Sequence, residues 1–263
     1  MEAISLHPIG YVISPVSEPK DMPPGGVAAE IEVLPQYQPG LLRVEENSHL
    51  WIQSWFHMAS RDQLIAHPRG NQHLPEYGVF AMRSPGRPNP IALSLTKLIK
   101  LENNKLYVER LDAVNGTPVL DIKPYFENDI IFSPRTPYIP GKTRTSHQDT
   151  LLRQALAHHQ EKCPSLYLAV RMALVADEVF GHLNNPELMI NVTGSACLAD
   201  TIQGLTRARL ANPARFFYDF STSLHQTIWT MNGRGTLTLT WLGNTDIMEC
   251  ADEELFSMDF KLD

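Results

Sequence analysis

The segment RSPGRPNPIALS, residues 83–94, places three prolines within six positions. Each proline fixes φ and removes a backbone donor, so no strand can run through Pro85–Pro90. The segment must be a stiff, shaped loop that delivers the chain into a strand at IALS. Most proline-rich loops are only rigid connections, but this one displays Arg83, Arg87 and Asn89 on a preorganised frame, and rigid loops that present forked donors serve binding.

Proline also divides the chain. Seventeen of the 20 prolines precede Lys142, all three cysteines follow it, and SPRTPYIPGKTRTS (133–146) carries three prolines and a glycine. A linker belongs there, between a domain at 1–142 and a second at 147–263. At 263 residues, 43% apolar and 19% charged, the chain can bury one large or two modest cores, which excludes disordered and fibrous classes. Residues 1–142 carry 13 basic and 15 acidic side chains, net −2; the rest carry 9 and 14, net −5. That acidity argues against a broad phosphate-binding surface, so any nucleic-acid contact must be a local basic patch. Cys163, Cys197 and Cys250 cannot form a disulfide framework, which fits a reducing compartment. No apolar run approaches the ~18 residues of a membrane span, and MEAISLHPIGYVISP lacks the pattern of a secretory signal. The expectation is a cytoplasmic protein without membrane contact.

Read for period, the first half gives short β-type runs: IGYVIS, AAEIEVLP, SHLWIQSWFHM, YGVFAM, IALSLTKLIKLE, KLYVERLDAV and PVLDIKPY. Their roughly 8–12 residue spacing predicts an all-β, mainly antiparallel barrel. NNK at 103–105 reads as a hairpin turn, and 36–47 has room for one short helix. The second half changes period. Ser146 and Asp149 have capping-box spacing and start a helix over TLLRQALAHHQ; Pro164 opens another over SLYLAVRMALVADEVF, which Gly181 ends. ELMINVTG reads as a strand, CLADTIQGLTRARL as a helix, and ARFFYDFS, QTIWTM and GTLTLTWL as strands, the last two joined at Asn232-Gly233. This predicts a mixed α/β domain. No internal repeat or low-complexity tract is present.

A second chemistry-bearing segment is NGTPVLDIKPY, residues 115–125. Asn115-Gly116 is a strong turn signal, Gly116 lets backbone approach a ligand closely, and the following strand carries Asp121 and Lys123. Together with PPGGVAAEIEVLP, SHLWIQSWFHMASR and HPRGN, the two segments resemble the TrmO/TsaA family of S-adenosylmethionine-dependent methyltransferases over about residues 5–140. The resemblance implies a small β-barrel, a homodimer with the cofactor near the subunit contact, and methyl transfer to N6 of threonylcarbamoyl-adenosine beside a tRNA anticodon. It also implies a cofactor pocket of Pro24, Gly25, His57, Met58, Arg83, Leu93, Asn115, Gly116, Thr117 and Pro118. Two positions depart from the family pattern. Asn115 stands where aspartate is usual, and the loop EPKDMPPGG lacks an Arg-Gln pair.

Methyl transfer from a sulfonium needs an in-line nucleophile more than covalent help, because the leaving thioether is neutral. A weakly basic amine must also lose a proton, for which Asp121 and Tyr125 are candidates. The alternative for them is a strand aspartate paired with Lys123 or Arg87 and a packed tyrosine. Arg61, Arg69, Arg83 and Arg87, with Asn89 and Lys123, are candidates for holding the acceptor.

The second half carries HHQEKCPSLYLAVRMALVADE, SACLADTIQGLT and EELF, which resemble the FmdE family over about residues 150–258. That resemblance implies ligand-type residues at His159, Cys163 and Cys197, with Glu161 in place of a histidine; an imidazole and two thiolates suit zinc, with a fourth position that is open or taken by Glu161 or Asp200. Two buried thiols beside a surface histidine are the plain alternative, and Cys250 reads as inert. Three functions compete: methyl transfer to tRNA, methyl transfer to a small molecule or metal-bound cofactor-like acceptor, and a non-catalytic cofactor- or metal-binding adaptor.

Overall fold

The computed structural model describes residues 4–263. They form two compact units, one ending at Ile130 and the other covering Ile131–Asp263.

The first unit is a closed barrel of six antiparallel strands, as the run spacing predicts. Strands β1 (Gly10–Ile13), β2 (Val27–Val33) and β3 (His49–Trp55) precede a short ribbon of β4 (Ile65–Ala66) and β5 (Tyr77–Gly78). β6 (Ile91–Glu102), β7 (Lys105–Leu111) and β8 (Pro118–Pro124) follow. Around the barrel the order is β1-β2-β7-β6-β3-β8, and β8 pairs back onto β1. Alternation drives the closure: Ile31 and Val33, Leu50 and Ile52, and Leu106 and Val108 point inward and are buried, while their neighbours face out. Asn103 takes a left-handed φ of 56°, so Asn103-Asn104 can turn β6 into β7 with Glu102 opposite Lys105.

Two local expectations are corrected. YGVFAM is not a barrel strand: Tyr77–Gly78 pairs only with Ile65–Ala66, and Val79–Ala81 is a 3-10 turn. The helix expected within 36–47 is two 3-10 turns, Pro35–Leu41 and Val44–Glu46, because Pro39 lacks a donor and Arg43 sits left-handed at φ 65°.

Antiparallel order sorts the connections between two mouths. β1, β3 and β7 end at the mouth where β2, β6 and β8 begin, so the loops before Val27, after Trp55, before Ile91 and between Leu111 and Pro118 all gather there. One close approach fixes this mouth. Gly26 has φ 79°, and a Cβ on it would stand 2.4 Å from the carbonyl carbon of Leu111.

The second unit is a five-stranded mixed sheet covered by helices. α1 (Arg144–His159), α2 (Pro164–Phe180), β9 (Leu188–Gly194), α3 (Ala196–Thr206), β10 (Phe216–Phe220), β11 (Gln226–Met231), β12 (Gly235–Trp241), α4 (Asp252–Leu255) and β13 (Phe256–Lys261) follow in turn. The sheet order is β10-β9-β11-β12-β13, with only β10 and β9 parallel. Its core joins Leu166, Met172, Leu174, Leu188, Ile190, Leu198, Ile202, Trp229 and Leu239, all fully buried.

The expected cap moves by three residues. Thr143 Oγ1 accepts from Ser146 N at 3.1 Å and Ser146 Oγ accepts from Thr143 N at 3.0 Å, so α1 begins at Arg144. The helix expected over 197–210 stops at Thr206, where Arg207 turns left-handed. α4 and β13 lie beyond the runs read as elements from the sequence, although Phe256, Met258 and Phe260 alternate with Ser257, Asp259 and Lys261 along β13. Buried Arg171 secures that tail, donating to Ile247 O, Cys250 O and Asp252 Oδ1. The stretch 133–146, expected as a linker, belongs to this unit: Ser133 Oγ donates to Arg207 O, and the Tyr138 hydroxyl and His147 Nε2 both meet Asp177 Oδ1. Among the described residues, no helix is long and apolar enough to cross a membrane.

The left-handed backbone and the overlap at Leu111 predict that Gly26→Ala costs about 2–4 kcal/mol, combining left-handed strain with overpacking. A urea unfolding midpoint for the variant equal to wild type contradicts this.

Candidate functional site

Two hollows adjoin at the mouth described above, of about 460 and 380 Å³. They share a wall of Phe56, Arg83, Pro85 and Asp112. The first is otherwise largely apolar, with Met22, Met58 and Val114 beside His57, Gln63 and Thr117. The second is more charged, with Arg87 and Arg110 beside Leu93, Ser94 and Leu95.

The proline-rich loop reaches this mouth because one side chain holds it. Arg87 Nε donates to Ser84 O at 2.7 Å, and Nη2 donates to Val79 O at 3.0 Å and Met82 O at 2.7 Å. Arg87 N also donates to Ser60 O at 3.0 Å. A loop short of donors leaves carbonyls without strand partners, and a planar guanidinium can serve three of them at once. Gly86 lies against Gln63, whose Oε1 would be 2.2 Å from a Cβ there.

The opposite wall is the turn between β7 and β8. Gly116, at φ 76°, donates to Val12 O, Asn115 N donates to Val16 O, and Asn115 Oδ1 accepts from Ser14 N at 3.2 Å. The turn is thereby tied to β1. Thr117 is fully buried, lines the first hollow, and among the described residues its hydroxyl has no hydrogen-bond partner. Ser54 Oγ, inward on β3 opposite Val119, is likewise unpartnered. Buried hydroxyls without partners cost free energy, so the Thr117 hydroxyl on the wall of an open hollow calls for a ligand or ordered water.

Most of the expected pocket residues gather here. Gly25, His57, Met58, Arg83, Leu93 and Thr117 line one hollow or the other, and Pro24 and Pro118 adjoin Gly25 and Thr117 in sequence. Asn115 and Gly116 shape the turn and do not line either hollow. The expected acceptor-binding set separates. Arg87 lines the second hollow but commits Nε and Nη2 to backbone carbonyls, which leaves Nη1 as the end that can meet a ligand; Asn89 and Arg69 are exposed outside both linings, and Arg61 lies over the Trp55 ring at 5.2 Å.

Asp121 and Tyr125 are not brought to this mouth. Asp121 Oδ2 takes the Lys123 ammonium, Oδ1 accepts from Ile122 N, and the residue lines a third hollow of about 510 Å³ at the other mouth, with Tyr37, Arg43 and Asn47. Tyr125 packs against Trp51, ring centroids 6.0 Å apart. Neither can take a proton beside Arg83, and Lys123 is committed to Asp121. The carboxylate that does line the shared wall is Asp112, which accepts from Ser94 Oγ at 2.5 Å and was not singled out from the sequence. It sits three residues before Asn115, one step past the end of β7, and that adjacency was the available signal.

The second unit holds a separate cluster. The donor atoms of His159, Cys163 and Cys197 all lie within 4.8 Å of one another. Local structure explains the convergence: His159 ends α1, Cys163 caps α2 by accepting from Leu166 N, and Cys197 lies in the first turn of α3. His159 Nε2 is 3.5 Å from Cys163 Sγ, while its Nδ1 meets Asp200 Oδ2 at 2.7 Å. Asp200 Oδ1 takes His158 Nε2 at 3.2 Å, so this carboxylate orients imidazoles and is not a fourth ligand. Burial, then neighbouring Cys163, pushes the Cys197 thiol up from its ordinary value. On a zinc tetrahedron donor atoms stand about 3.5–4 Å apart, a separation that the His159–Cys163 pair already has at 3.5 Å, and binding would supply the deprotonation that burial opposes.

Residues 11–129 match the family model described as the tRNA-methyltransferase O (TrmO) N-terminal domain. An Archaeoglobus fulgidus protein described as a probable S-adenosyl-L-methionine-binding protein is 32% identical over 83% of this chain and 62% of its own length. The chain therefore spans under two thirds of that relative. A second A. fulgidus protein, described as an S-adenosyl-L-methionine-binding protein, is 42% identical over 46% of this chain and 88% of its own. Among solved structures, TrmO from Pseudomonas aeruginosa is 33% identical over 51% of this chain and 62% of that one, with a TM-score of 0.42.

If the guanidinium holds the loop, Arg87→Lys frees at least two carbonyls, lowers unfolding free energy by about 1–3 kcal/mol and speeds amide exchange at residues 83–89. Unchanged exchange in those amides would show that the prolines alone hold the loop.

Proposed function

Because the chain belongs to the S-adenosylmethionine-binding TrmO family, we propose that its first unit binds S-adenosylmethionine in the joined hollows and transfers the methyl group to an adenosine N6 of tRNA, at threonylcarbamoyl-adenosine beside the anticodon. The observation that carries this reading is the meeting of the clasped proline-rich loop and the Thr117 corner over one mouth, with an unpartnered buried hydroxyl between them. Those residues suit a nucleoside-bearing sulfonium. Phe56, Met58 and Val114 offer apolar and polarizable surface, Thr117 offers a hydroxyl, and Gly25, at φ 88°, allows close approach of backbone. The bound donor supplies an electrophilic methyl on a neutral leaving group. The chain's part is to orient the acceptor, exclude water and receive a proton.

A homodimer is part of the proposal. Ile91, Leu93 and Leu95 form an exposed apolar row on the outer face of β6, beside Trp51 and Trp55 of β3, with Ile99 beyond the intervening Lys97. Leu93 and Leu95 also line the second hollow, so a second copy seated on this row would close the site's edge. Arg83 and Arg110, which line the same hollow, supply the local positive charge that an overall acidic chain needs to hold an anionic acceptor.

We assign the second unit an FmdE-like role. The convergence of His159, Cys163 and Cys197 favours one zinc ion, with the fourth position open or filled by Glu161. The same chemistry on a small acceptor presented by that unit is the second reading, favoured by its acidity.

Incubation of the purified protein with radiolabelled methyl donor, bulk tRNA and a small-molecule extract separates the readings. Label in tRNA is expected, label only in the small-molecule pool replaces the acceptor, and calorimetric binding of the donor without turnover leaves an adaptor. Sedimentation of the same preparation should give a dimer. Elemental analysis is expected to find one zinc per chain, lost in Cys163→Ser and Cys197→Ser; metal-free wild type refutes the zinc assignment.

A further inference from the structure

We propose that Asp112 accepts the proton released by the attacking nitrogen, a catalytic role that rests on the methyltransferase reading above. Asp112 is the one carboxylate among the residues lining either hollow, and it stands on the wall that both share. Its placement follows from topology. β7 ends at Leu111, so the next side chain projects at the mouth where the proline-rich loop and the Thr117 corner meet.

The carboxylate is held, yet keeps a free face. Ser94 Oγ donates to Oδ1 at 2.5 Å from the neighbouring strand β6, whereas among the described residues nothing donates to Oδ2. An exposed aspartate without that hydroxyl would sweep several rotamers; with it, one oxygen is anchored to Ser94 and the other stays available on the wall that both hollows share. His57 also lines the first hollow, but among the described residues no hydrogen bond fixes its ring, and it is not part of the shared wall. Asp121 and Tyr125 lie away from this mouth. That leaves Asp112 as the oriented acceptor between the two spaces.

In the step, the nitrogen lone pair forms the new N–C bond while the C–S bond breaks, its electron pair remaining on sulfur as a neutral thioether. The nitrogen then carries one proton too many, and Oδ2 takes it and later yields it to water. Ser94 is a positioning residue: it aims the carboxylate and does not touch the reacting atoms.

The test compares wild type with Asp112→Asn, which keeps shape and can still accept from Ser94. Initial rates with labelled S-adenosylmethionine and bulk tRNA are measured across pH, and donor affinity is measured by calorimetry. Asp112→Asn is expected to lose about 10²–10⁴-fold in kcat and the acid limb of the pH profile, with the donor Kd within about threefold of wild type. Ser94→Ala should lose less in kcat and keep the acid limb. Turnover of Asp112→Asn within threefold of wild type overturns the proposal, as does a loss of donor affinity equal to the loss of rate, which would make Asp112 a donor ligand. Wild type that binds donor but labels no tRNA overturns the tRNA methyltransferase reading itself, and the two failures are thereby distinct.

Discussion

One guanidinium holds the functional mouth together. Three prolines remove half the backbone donors of residues 85–90, and the preceding turn leaves the carbonyls of Val79, Met82 and Ser84 aimed at one point. Arg87 fills that point. A lysine offers a compact charge on a flexible stem and could not span all three acceptors, whereas a rigid fork can. Arg83, Pro85 and Pro90 line the hollows from a loop set by this clasp. Rigidity achieved before a ligand arrives lowers the ordering cost of binding, which is the advantage of building a wall from proline and arginine rather than from a mobile loop.

The barrel supplies the rest through parity. With six antiparallel strands, every second connection falls at the same mouth, so segments far apart in sequence become neighbours. β6 and β8 begin, and β3 and β7 end, at the site. The opposite mouth receives the 3-10 turns at 35–46 and the ends of β2 and β8, and Asp121 goes with them. A strand that starts in one mouth and finishes in the other cannot serve both. The NGTPVLDIKPY segment is divided in this way, its turn at the candidate site and its Asp121-Lys123 pair away from it.

In the second unit, helix ends play the corresponding part. Cys163 caps one helix, Cys197 lies in the first turn of another, and His159 closes a third, so three chain segments deliver donor atoms to one spot. Asp200 orders both histidines while remaining behind them. A carboxylate behind a histidine is an orienting group as much as a charge, since it fixes which ring nitrogen faces inward.

Local chemistry decided what the sequence could reveal: the barrel strands from alternation, the Asn103 turn, the proline-rich loop, the α2 boundaries at Pro164 and Gly181, and the TrmO resemblance through contiguous motifs. These depend on neighbours a few residues apart. Whether a polar strand residue faces one mouth or the other depends on register and parity, which no local pattern states. Hence Asp121 and Tyr125 were plausible proton acceptors in the sequence but lie elsewhere, and Asp112 drew no notice until closure set it beside Ser94. Arg87 reads as a ligand-binding donor because its type suits that task; only the folded loop shows that its Nε and Nη2 clasp backbone carbonyls while the residue lines the hollow. Short-range periodicity and steric limits are written along the chain, whereas the direction of a side chain into a shared space exists only once distant strands have paired.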